Sequence, residues 1–584
     1  MKNGLGFACG LLLLALAASA LMQVPASAPP LARLVPSGPL LVLEALDFSE
    51  LLADWRGSRE KPLWLASTNY QVFSRSKLFL RLEEVHKEFT AAAGFTPDLS
   101  MLESIAGAES VLALYDVGQV EFLYITKLPS ARRLQSVLWQ TRANFEPRNV
   151  ADTPYYVRVE QKSGRIVAFA TTEDYLLLST SEDPLANALK LLAGESGAAD
   201  SGTAVTASAT PVTGQPWYAD GVQAAGRPGE LRMVLNMSSI VRSPHFRSYW
   251  IQQNVSELRQ YRAAVSDLHR SADEIRERRV FLRPAAVTGE AESQPEESSI
   301  AADLTRLVGD DLGFYRVWNA PKLQDTLTLL ERKILARRTG TPPTPRVAPT
   351  VFLGGGAVGS EAALETRIDE PPPVPLQGGF PHAPLRAILE RAGLQAVLQT
   401  QSSRPLSDSV FLGDETLVVL LANSDWKLEE ARDALADSVR GLWTASRLGA
   451  QWADQNDNGE TYSELDGLTP LLVAARGKHL FVANAAQPLL AALGRMTAPA
   501  SGPGSGYAAA FSHARESTNY RRFMGQLDSL QIQRYGSSPN RSPEFFSENV
   551  GSLSTALARV KDVSLRTEDR GSTVVQTVTY ELNP

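Results

Sequence analysis

The 584-residue sequence predicts an α+β or α/β protein of two similar halves, with mixed, largely antiparallel sheets and helices packed on them. Three observations lead to this prediction. Hydrophobic residues make up 44% of the chain and charged residues 21%, which is ordinary for a globular protein. Short strand patterns alternate with helix patterns. The order of these patterns in the first half recurs in the second, which indicates an internal duplication.

The first recurring block is a turn, an apolar strand and a helix. It covers the strand at residues 39–46 with the helix at 49–55, and again the strand at 313–318 with the helix at 321–330. In both copies the strand runs directly into the start of the helix. A second block pairs the strand at 111–115 and a helix near 131–141 with the strand at 417–421 and the helix at 427–443.

The third block is a three-strand meander followed by a helix that a proline opens. Tight turns such as Lys162-Ser163-Gly164 separate its short apolar strands, and Pro184 or Pro488 begins the helix. A fourth block pairs the strand at 231–236 with the strand at 507–512. The meander strands are expected at 155–160, 166–171 and 175–179 in the first half, and at 462–465, 470–475 and 479–483 in the second.

Segments rich in Gly, Pro, Ser and Ala set the expected domain boundaries. Residues 31–283 form the first α/β half, and residues 284–300 form a linker. The second half covers 301–584 and carries a Pro/Gly-rich insertion at 339–376. Such stretches offer too little apolar surface to offset the entropy of ordering them.

The N-terminus predicts export. Lys2 precedes an apolar run from Leu5 to Leu21 that ends in small residues, so residues 1–28 are typical of a signal peptide. Its A-x-A cleavage site is expected at Ala18-Ser19-Ala20, with Ala26-Ser27-Ala28 as a second candidate. The alternative is an uncleaved inner-membrane anchor, since the run is close to the length that spans a bilayer. The one cysteine, Cys9, lies inside this segment. A cell-envelope or periplasmic location follows, with membrane anchoring through the apolar segment as the alternative.

Charge and composition exclude several classes of function. Lys and Arg total 57 against 64 Asp and Glu, a formal net charge of −7, so the chain offers no basic surface for nucleic acid. One cysteine excludes an intrachain disulfide and a cysteine-based zinc site. The six histidines are scattered without metal-ligand spacing. No cofactor, metal or catalytic residue is therefore predicted.

Three short motifs imitate known sites and are interpreted as loops. Residues 354–359 match G-x-G-x-x-G, but prolines flank them where a dinucleotide site needs a strand and a helix. Residues 454–460 resemble half of a calcium loop, yet Leu465 occupies the twelfth position. Residues 74–77 match the S-x-x-K of serine penicillin-recognising enzymes, and Lys162-Ser163-Gly164 imitates their K-[ST]-G, but no Ser-x-Asn element lies between the two. Separately, apolar spacing over residues 257–279 predicts an amphipathic helix, with core packing or a partner surface as its role.

The opening residues resemble a family of exported bacterial proteins of unassigned function. The resemblance lies in Leu34-Val35-Pro36-Ser37-Gly38-Pro39, an apolar strand, then Leu46-Asp47-Phe48-Ser49 and a helix. Family members open on Leu-Pro-Ala-Asp, so Ser37-Gly38 departs from the pattern. The resemblance implies an envelope location and carries no catalytic residue to this chain.

These observations favour a non-catalytic cell-envelope protein that serves as a binding or assembly scaffold for an envelope protein or ligand. Two alternatives stay open. One is an envelope hydrolase whose residues converge from separate segments, which two carboxylates or a Ser-His pair in one cleft would favour. The other is a lipid or hydrophobic-ligand binding protein, which an enclosed apolar cavity would favour.

Overall fold

The fold is α+β, as predicted. The computed structural model contains thirteen α-helices and twenty strands in the part of the chain that it describes. The strand pairings within each compact unit are antiparallel. The structure describes residues 30–58, 61–62, 65, 70, 74–75, 77–196, 209–243, 259–284, 303–309, 311–335, 383–405, 412–443, 451–465, 470–498, 506–535 and 559–583.

The strands are short in the first part of the chain and longer after residue 390. Their bounds, in chain order, are β1 Leu41–Ala45, β2 Ser110–Asp116, β3 Glu121–Lys127, β4 Glu146–Val150, β5 Thr153–Val159, β6 Ile166–Thr171, β7 Tyr175–Ser179, β8 Leu231–Leu235, β9 Ala263–Arg270, β10 Glu274–Leu282, β11 Phe314–Asn319, β12 Leu394–Pro405, β13 Leu412–Ala422, β14 Trp452–Asp457, β15 Glu460–Leu465, β16 Leu471–Arg476, β17 His479–Ala483, β18 Tyr507–Ser512, β19 Val560–Asp569 and β20 Thr573–Leu582.

The helices cover the sheet and connect its strands. They are α1 Phe48–Gly57, α2 Lys77–Ala93, α3 Leu99–Ile105, α4 Ser130–Gln135, α5 Val137–Gln140, α6 Glu182–Ser196, α7 Pro216–Ala225, α8 Met237–Ile240, α9 Leu323–Lys333, α10 Ala383–Ala392, α11 Leu428–Trp443, α12 Ala486–Gly494 and α13 His513–Tyr535. Single 3₁₀ turns lie at Leu31–Leu34, Arg142–Asn144 and Val212–Gly214.

The chain divides into two compact units. The first comprises Met1–Leu51 and Val85–Ala219, and the second comprises Leu52–Glu84 and Asp220–Pro584. In the first unit the strand order is β1-β2-β3-β7-β6-β5-β4. Phe89, Ile105 and Leu138 pack on one face of this sheet around Phe169 and Leu176. Burial of these side chains is the main favourable contribution to folding.

The second unit builds a longer sheet with a core on each face. Its strand order is β8-β9-β10-β20-β19-β18-β11-β12-β13-β17-β16-β15-β14. Val397 and Val418 face the core under α9, α10 and α11, whereas Leu398 and Leu417 face the core under α12. Because neighbouring residues of a strand face opposite sides, these strands are apolar without interruption over several residues.

The order β11-β12-β13-β17-β16-β15-β14 of the second unit repeats the order β1-β2-β3-β7-β6-β5-β4 of the first. Both predicted meanders are present with their helices, as β5 to α6 and as β15 to α12. The predicted match of residues 111–115 with residues 417–421 is wrong by one strand. Residues 111–115 lie in β2, the second strand of the order in the first unit, whereas residues 417–421 lie in β13, the third strand of the repeated order. Duplication and the halves at 31–283 and 301–584 stay predictions.

The amphipathic helix predicted at 257–279 is wrong. Residues from 263 onward form the hairpin of β9 and β10, in which Val265 lies opposite Val280. The spacing of the apolar residues fits both a helix and a strand. The segment forms a strand because β10 pairs with β20, almost 300 residues away. Local sequence does not contain this long-range pairing.

Several predicted segments lie outside the described residues. They are the signal or anchor at residues 1–28, linker residues 285–300, the insertion at 339–376 and, within it, the G-x-G-x-x-G run at 354–359. Among the residues that the structure does describe, no helix has both the length and the apolar character needed to cross a membrane.

Candidate functional site

A pocket of about 270 Å³ lies in the second unit where the apolar layer under α12 ends. Its floor is made by Thr400 and Ser402 of β12 and by Leu417 and Glu415 of β13. Thr400 is paired with Leu417, and Ser402 with Glu415, so all four lie on one side of the sheet. The floor is therefore polar at three of its four positions.

The same side of both strands is apolar further along. Ala396 and Leu398 of β12 and Leu421 and Val419 of β13 are buried in the core under α12. Two residues beyond Leu398 the pattern changes from apolar to hydroxyl side chains. A strand position that faces inward and carries a polar group needs either a partner or a cavity beside it.

The walls of the pocket come from three separate segments. One is the stretch that leads into β11, the second is α12, and the third is the first turn of α13, which supplies Arg515. These walls present apolar and charged groups together. Besides Arg515, the wall residues are Leu307, Gly309, Asp311, Leu312, Gln487, Pro488, Ala491 and Arg495.

Charges of both signs line this pocket. Arg515 donates from Nε to Asp311 Oδ1 at 2.8 Å, and the Asp311 side chain is 77% exposed. Arg404, outside the pocket, donates from Nη1 to Glu415 Oε1 at 2.9 Å, and the Glu415 side chain is 14% exposed. Arg495 supplies a second guanidinium to the wall. The exposed pair with Asp311 contributes little to stability.

The Thr400 hydroxyl is the one buried polar side-chain atom without a hydrogen bond among the described residues that line this pocket. Thr400 is 1% exposed, and its Oγ1 makes no hydrogen bond to any described residue. Thr416, on the opposite side of β13, is likewise buried with an unsatisfied Oγ1 but does not line the pocket. Such atoms are uncommon in folded proteins because desolvation without a partner is costly.

A second pocket of about 270 Å³ lies beside Ser403, whose side chain points to the other side of β12. The Ser403 hydroxyl donates to the buried carboxylate of Glu516 and accepts from Asn519 Nδ2 at 2.8 Å. The Ser403 amide also donates to Glu516 at 3.3 Å, and Arg515 donates to the same carboxylate. These bonds fasten the first turns of α13 to β12.

The carboxylates of Asp311 and Glu516 affect the pKa of Arg515, which lines the first pocket and contacts Glu516 of the second. Burial works to lower the pKa of Arg515, but the hydrogen bonds and negative charges of Asp311 and Glu516 outweigh it and raise the pKa. Its guanidinium is therefore charged and held between the two acids. This places a fixed positive charge at the edge of the first pocket.

Sequence reasoning nominated no site residue, and the pocket residues had no recognisable motif. Thr400, Ser402 and Glu415 lie outside the strands that the sequence predicted, of which the nearest is the strand at 417–421. The signal that would have found them is polar residues at inward-facing strand positions directly after apolar ones. The wall residues come from separate segments, and only the fold brings them together.

The calcium-like motif forms a hairpin. Asp454 Oδ1 accepts from Ser463 Oγ at 2.8 Å, and Asp457 Oδ2 accepts from Tyr462 at 2.8 Å. Burial and the nearby Asp457 raise the pKa of Tyr462 to about 12. Asn458 and Gly459 turn the chain with positive φ angles, so these side-chain oxygens serve the β14–β15 hairpin.

The penicillin-enzyme motifs are likewise not brought together as a site. Lys162 and Ser163 form the turn between β5 and β6, where both amides donate to Glu160. Ser74 and Arg75 form a turn, while Ser76 lies outside the described residues. The part of the chain that the structure describes contains no group of three or more His, Cys, Asp and Glu placed to hold a metal.

His479 is a buried histidine that contacts a carboxylate. Its Nε2 lies 3.2 Å from Asp303 Oδ2, and the ring is buried beside Phe481. Burial lowers the pKa of His479 despite the opposing effect of Asp303. The contact holds the segment before β11 on the sheet.

Comparisons with known proteins identify no family. No model of a protein family matches the chain, and no curated protein matches it. Among solved structures, the chain is similar to TP0453 in its crystal form III, at 11% sequence identity and a TM-score of 0.22. The similarity covers 48% of this chain and 88% of that chain. A likeness this low carries no argument about what this chain does.

Proposed function

We propose that the chain is an exported protein of the cell envelope that acts by binding a ligand or partner without transforming it. Export is supported by the apolar run from Leu5 to Leu21 and the small residues that follow it. Binding is supported by the pocket at Thr400, which is concave and is lined by both apolar and charged side chains.

The observation that carries the non-catalytic part is the arrangement around Ser403. A nucleophilic serine needs a base that can take its proton and access to a substrate. Ser403 is 4% exposed, its hydroxyl is held between Glu516 and Asn519, and Glu516 is also held by Arg515. These groups are committed to attaching α13 to the sheet.

Purified mature protein incubated with ester, peptide and glycoside substrates tests this proposal. We expect product formation at the rate of a buffer control. Turnover proportional to protein concentration would contradict it. Ser403→Ala serves as the specificity control, since activity lost with this substitution would identify the Ser403 hydroxyl as a nucleophile.

A hydrolase is the second candidate, and one observation favours it. Asp311 and Glu415 lie in the same pocket, and paired carboxylates are the usual acid and base of hydrolysis. Each of the two accepts a hydrogen bond from an arginine, which is the arrangement of an ion pair. Turnover that Glu415→Gln abolishes would support this candidate over a binding protein.

A further inference from the structure

We propose that the pocket at Thr400 binds a small zwitterion, namely a free amino acid or a short peptide with both termini free. The inference rests on the proposed function, because it names the ligand class of a pocket that binds without catalysis. It is carried by three features of one cavity: charges of both signs, an unsatisfied buried hydroxyl and a volume of about 270 Å³.

The positive side of the pocket suits a carboxylate. Arg495 and Arg515 both line it, and a guanidinium binds a carboxylate through two parallel hydrogen bonds. Arg515 is oriented by Glu516 and by the Ser403 carbonyl, to which it donates at 3.3 Å. Its other partner is Asp311, whose side chain is largely exposed. A ligand carboxylate can therefore replace Asp311 at a small cost in free energy.

The negative side suits an ammonium group. Glu415 projects from the floor of the pocket, and its largely buried carboxylate is held from outside by the exposed Arg404. A carboxylate on a pocket floor attracts a cation and is unfavourable for a second anion. A purely anionic ligand would therefore lie close to the Glu415 carboxylate, and a cationic group on the ligand would favour binding there.

The third contact is with Thr400, whose Oγ1 is buried in the pocket floor and reaches a ligand when the side chain rotates. A threonine hydroxyl can donate one hydrogen bond and accept others, so it matches the amide or carboxylate of a peptide-like ligand. Ligand binding would satisfy an atom that no described residue satisfies. The volume lies just below the usual range of about 300–1,000 Å³ for ligand pockets, which limits the ligand to a small molecule.

Isothermal titration with L-alanyl-L-alanine and three blocked forms tests the inference. The blocked forms are the N-acetyl dipeptide, the dipeptide amide and the N-acetyl dipeptide amide. For a ligand of this size we expect a Kd between about 1 µM and 1 mM for the free dipeptide. Each single block should weaken binding about tenfold or more, because it leaves one charge of the pocket unmatched.

Two substitutions place the binding in this pocket. Thr400→Val should weaken binding of the free dipeptide about three- to tenfold, the effect of one hydrogen bond. Thr416→Val is the matched control, since it removes an equally buried and unsatisfied hydroxyl on the opposite side of the sheet, and should leave binding unchanged. Glu415→Gln should abolish the preference for the free amino group, so that the dipeptide and its N-acetyl form bind equally.

Several results would overturn the inference. One is no saturable binding of the free dipeptide up to about 10 mM. Others are equal binding of all four forms, or equal effects of Thr400→Val and Thr416→Val. Circular dichroism melts of each variant establish that it is folded before titration. Dipeptide that binds and is then cleaved would contradict the proposed function and leave the ligand class standing, whereas intact, unbound dipeptide would contradict only the ligand class.

Discussion

Glu516 shows how one residue connects strand, helix and pocket. It is 2% exposed and accepts hydrogen bonds from Ser403 and Arg515. Gly313 lies so close that a Cβ there would be 1.9 Å from Glu516 Oε1. The carboxylate thus occupies the space of a missing side chain. The inward-facing polar residues of β12 were not predicted. In the sequence, a buried polar residue of a strand looks the same as an exposed one, and only the packing of the helices distinguishes them.

Gly313→Ala is expected to lower the free energy of unfolding by about 1–3 kcal/mol, because the new methyl group overlaps Glu516 and forces it to move. Denaturant unfolding measures the change. Gly525→Ala is the control: its Cβ would meet nothing within 4 Å, and it lies in α13, where alanine is favoured by about 0.5–1 kcal/mol. Equal effects of the two substitutions would refute the contact.

His479 predicts a component of the pH dependence of stability. Its pKa is lowered in the folded protein, so below about pH 6.5 the unfolded chain binds the proton more readily. The contribution of neutral His479 is therefore present above about pH 6.5 and is lost as the pH falls toward the folded pKa. Urea titrations at several pH values should show this loss in the wild type and not in His479→Gln. Identical pH profiles would contradict the assignment.

For single strands and helices, short-range sequence patterns predicted the elements whose structure depends on neighbouring residues. The meander β5-β6-β7 with α6 was expected from tight turns and alternating apolar residues, and the structure confirms it. Residues 263–279, within the helix predicted at 257–279, were misassigned because β10 pairs with β20, a strand that is remote in sequence. One of the charged side chains in this segment is buried by its partner on the next strand.

Arg232 of β8 and Asp267 of β9 form that buried pair. Arg232 donates to both Asp267 oxygens, at 2.7 and 2.9 Å, and both side chains are almost fully buried. Asp267→Asn should destabilise the protein by about 3–5 kcal/mol, since it leaves Arg232 buried without its counter-charge. The double substitution Arg232→Met with Asp267→Leu should cost less.

Chemical unfolding of these variants measures the difference. Glu230→Gln, which removes a more exposed ion pair between the residue before β8 and Arg270 of β9, is the control and should cost about 0–1 kcal/mol. If the double substitution destabilises the protein at least as much as Asp267→Asn, the unpaired charge of Arg232 is not the cause of the destabilisation.

At the scale of the whole molecule, the alternation of strand and helix patterns predicted the α+β class, and the strand orders of the two units agree over most of their length. The pocket could not be predicted at this scale. Its walls come from the segment before β11, from α12 and from α13, which span about 200 residues of sequence and meet only through the sheet.

Export is a prediction about the intact chain. In a bacterial host, the full sequence should accumulate in the envelope fraction with an N-terminus that begins after Ala20 or after Ala28. Mass spectrometry of the mature N-terminus distinguishes the two sites. An intact Met1 in the membrane fraction would support the anchor, and recovery in the cytoplasm would contradict export.

Binding without hydrolysis is tested most directly by a proton NMR titration of the purified protein into L-alanyl-L-alanine. Line broadening or shifts of the dipeptide signals report binding, and the appearance of free alanine reports hydrolysis. If the pocket binds a zwitterion without cleaving it, the changes are saturable, Thr400→Val weakens them, Thr416→Val does not, and the dipeptide stays intact after prolonged incubation. Unchanged dipeptide signals, or release of alanine in proportion to the protein, would contradict it.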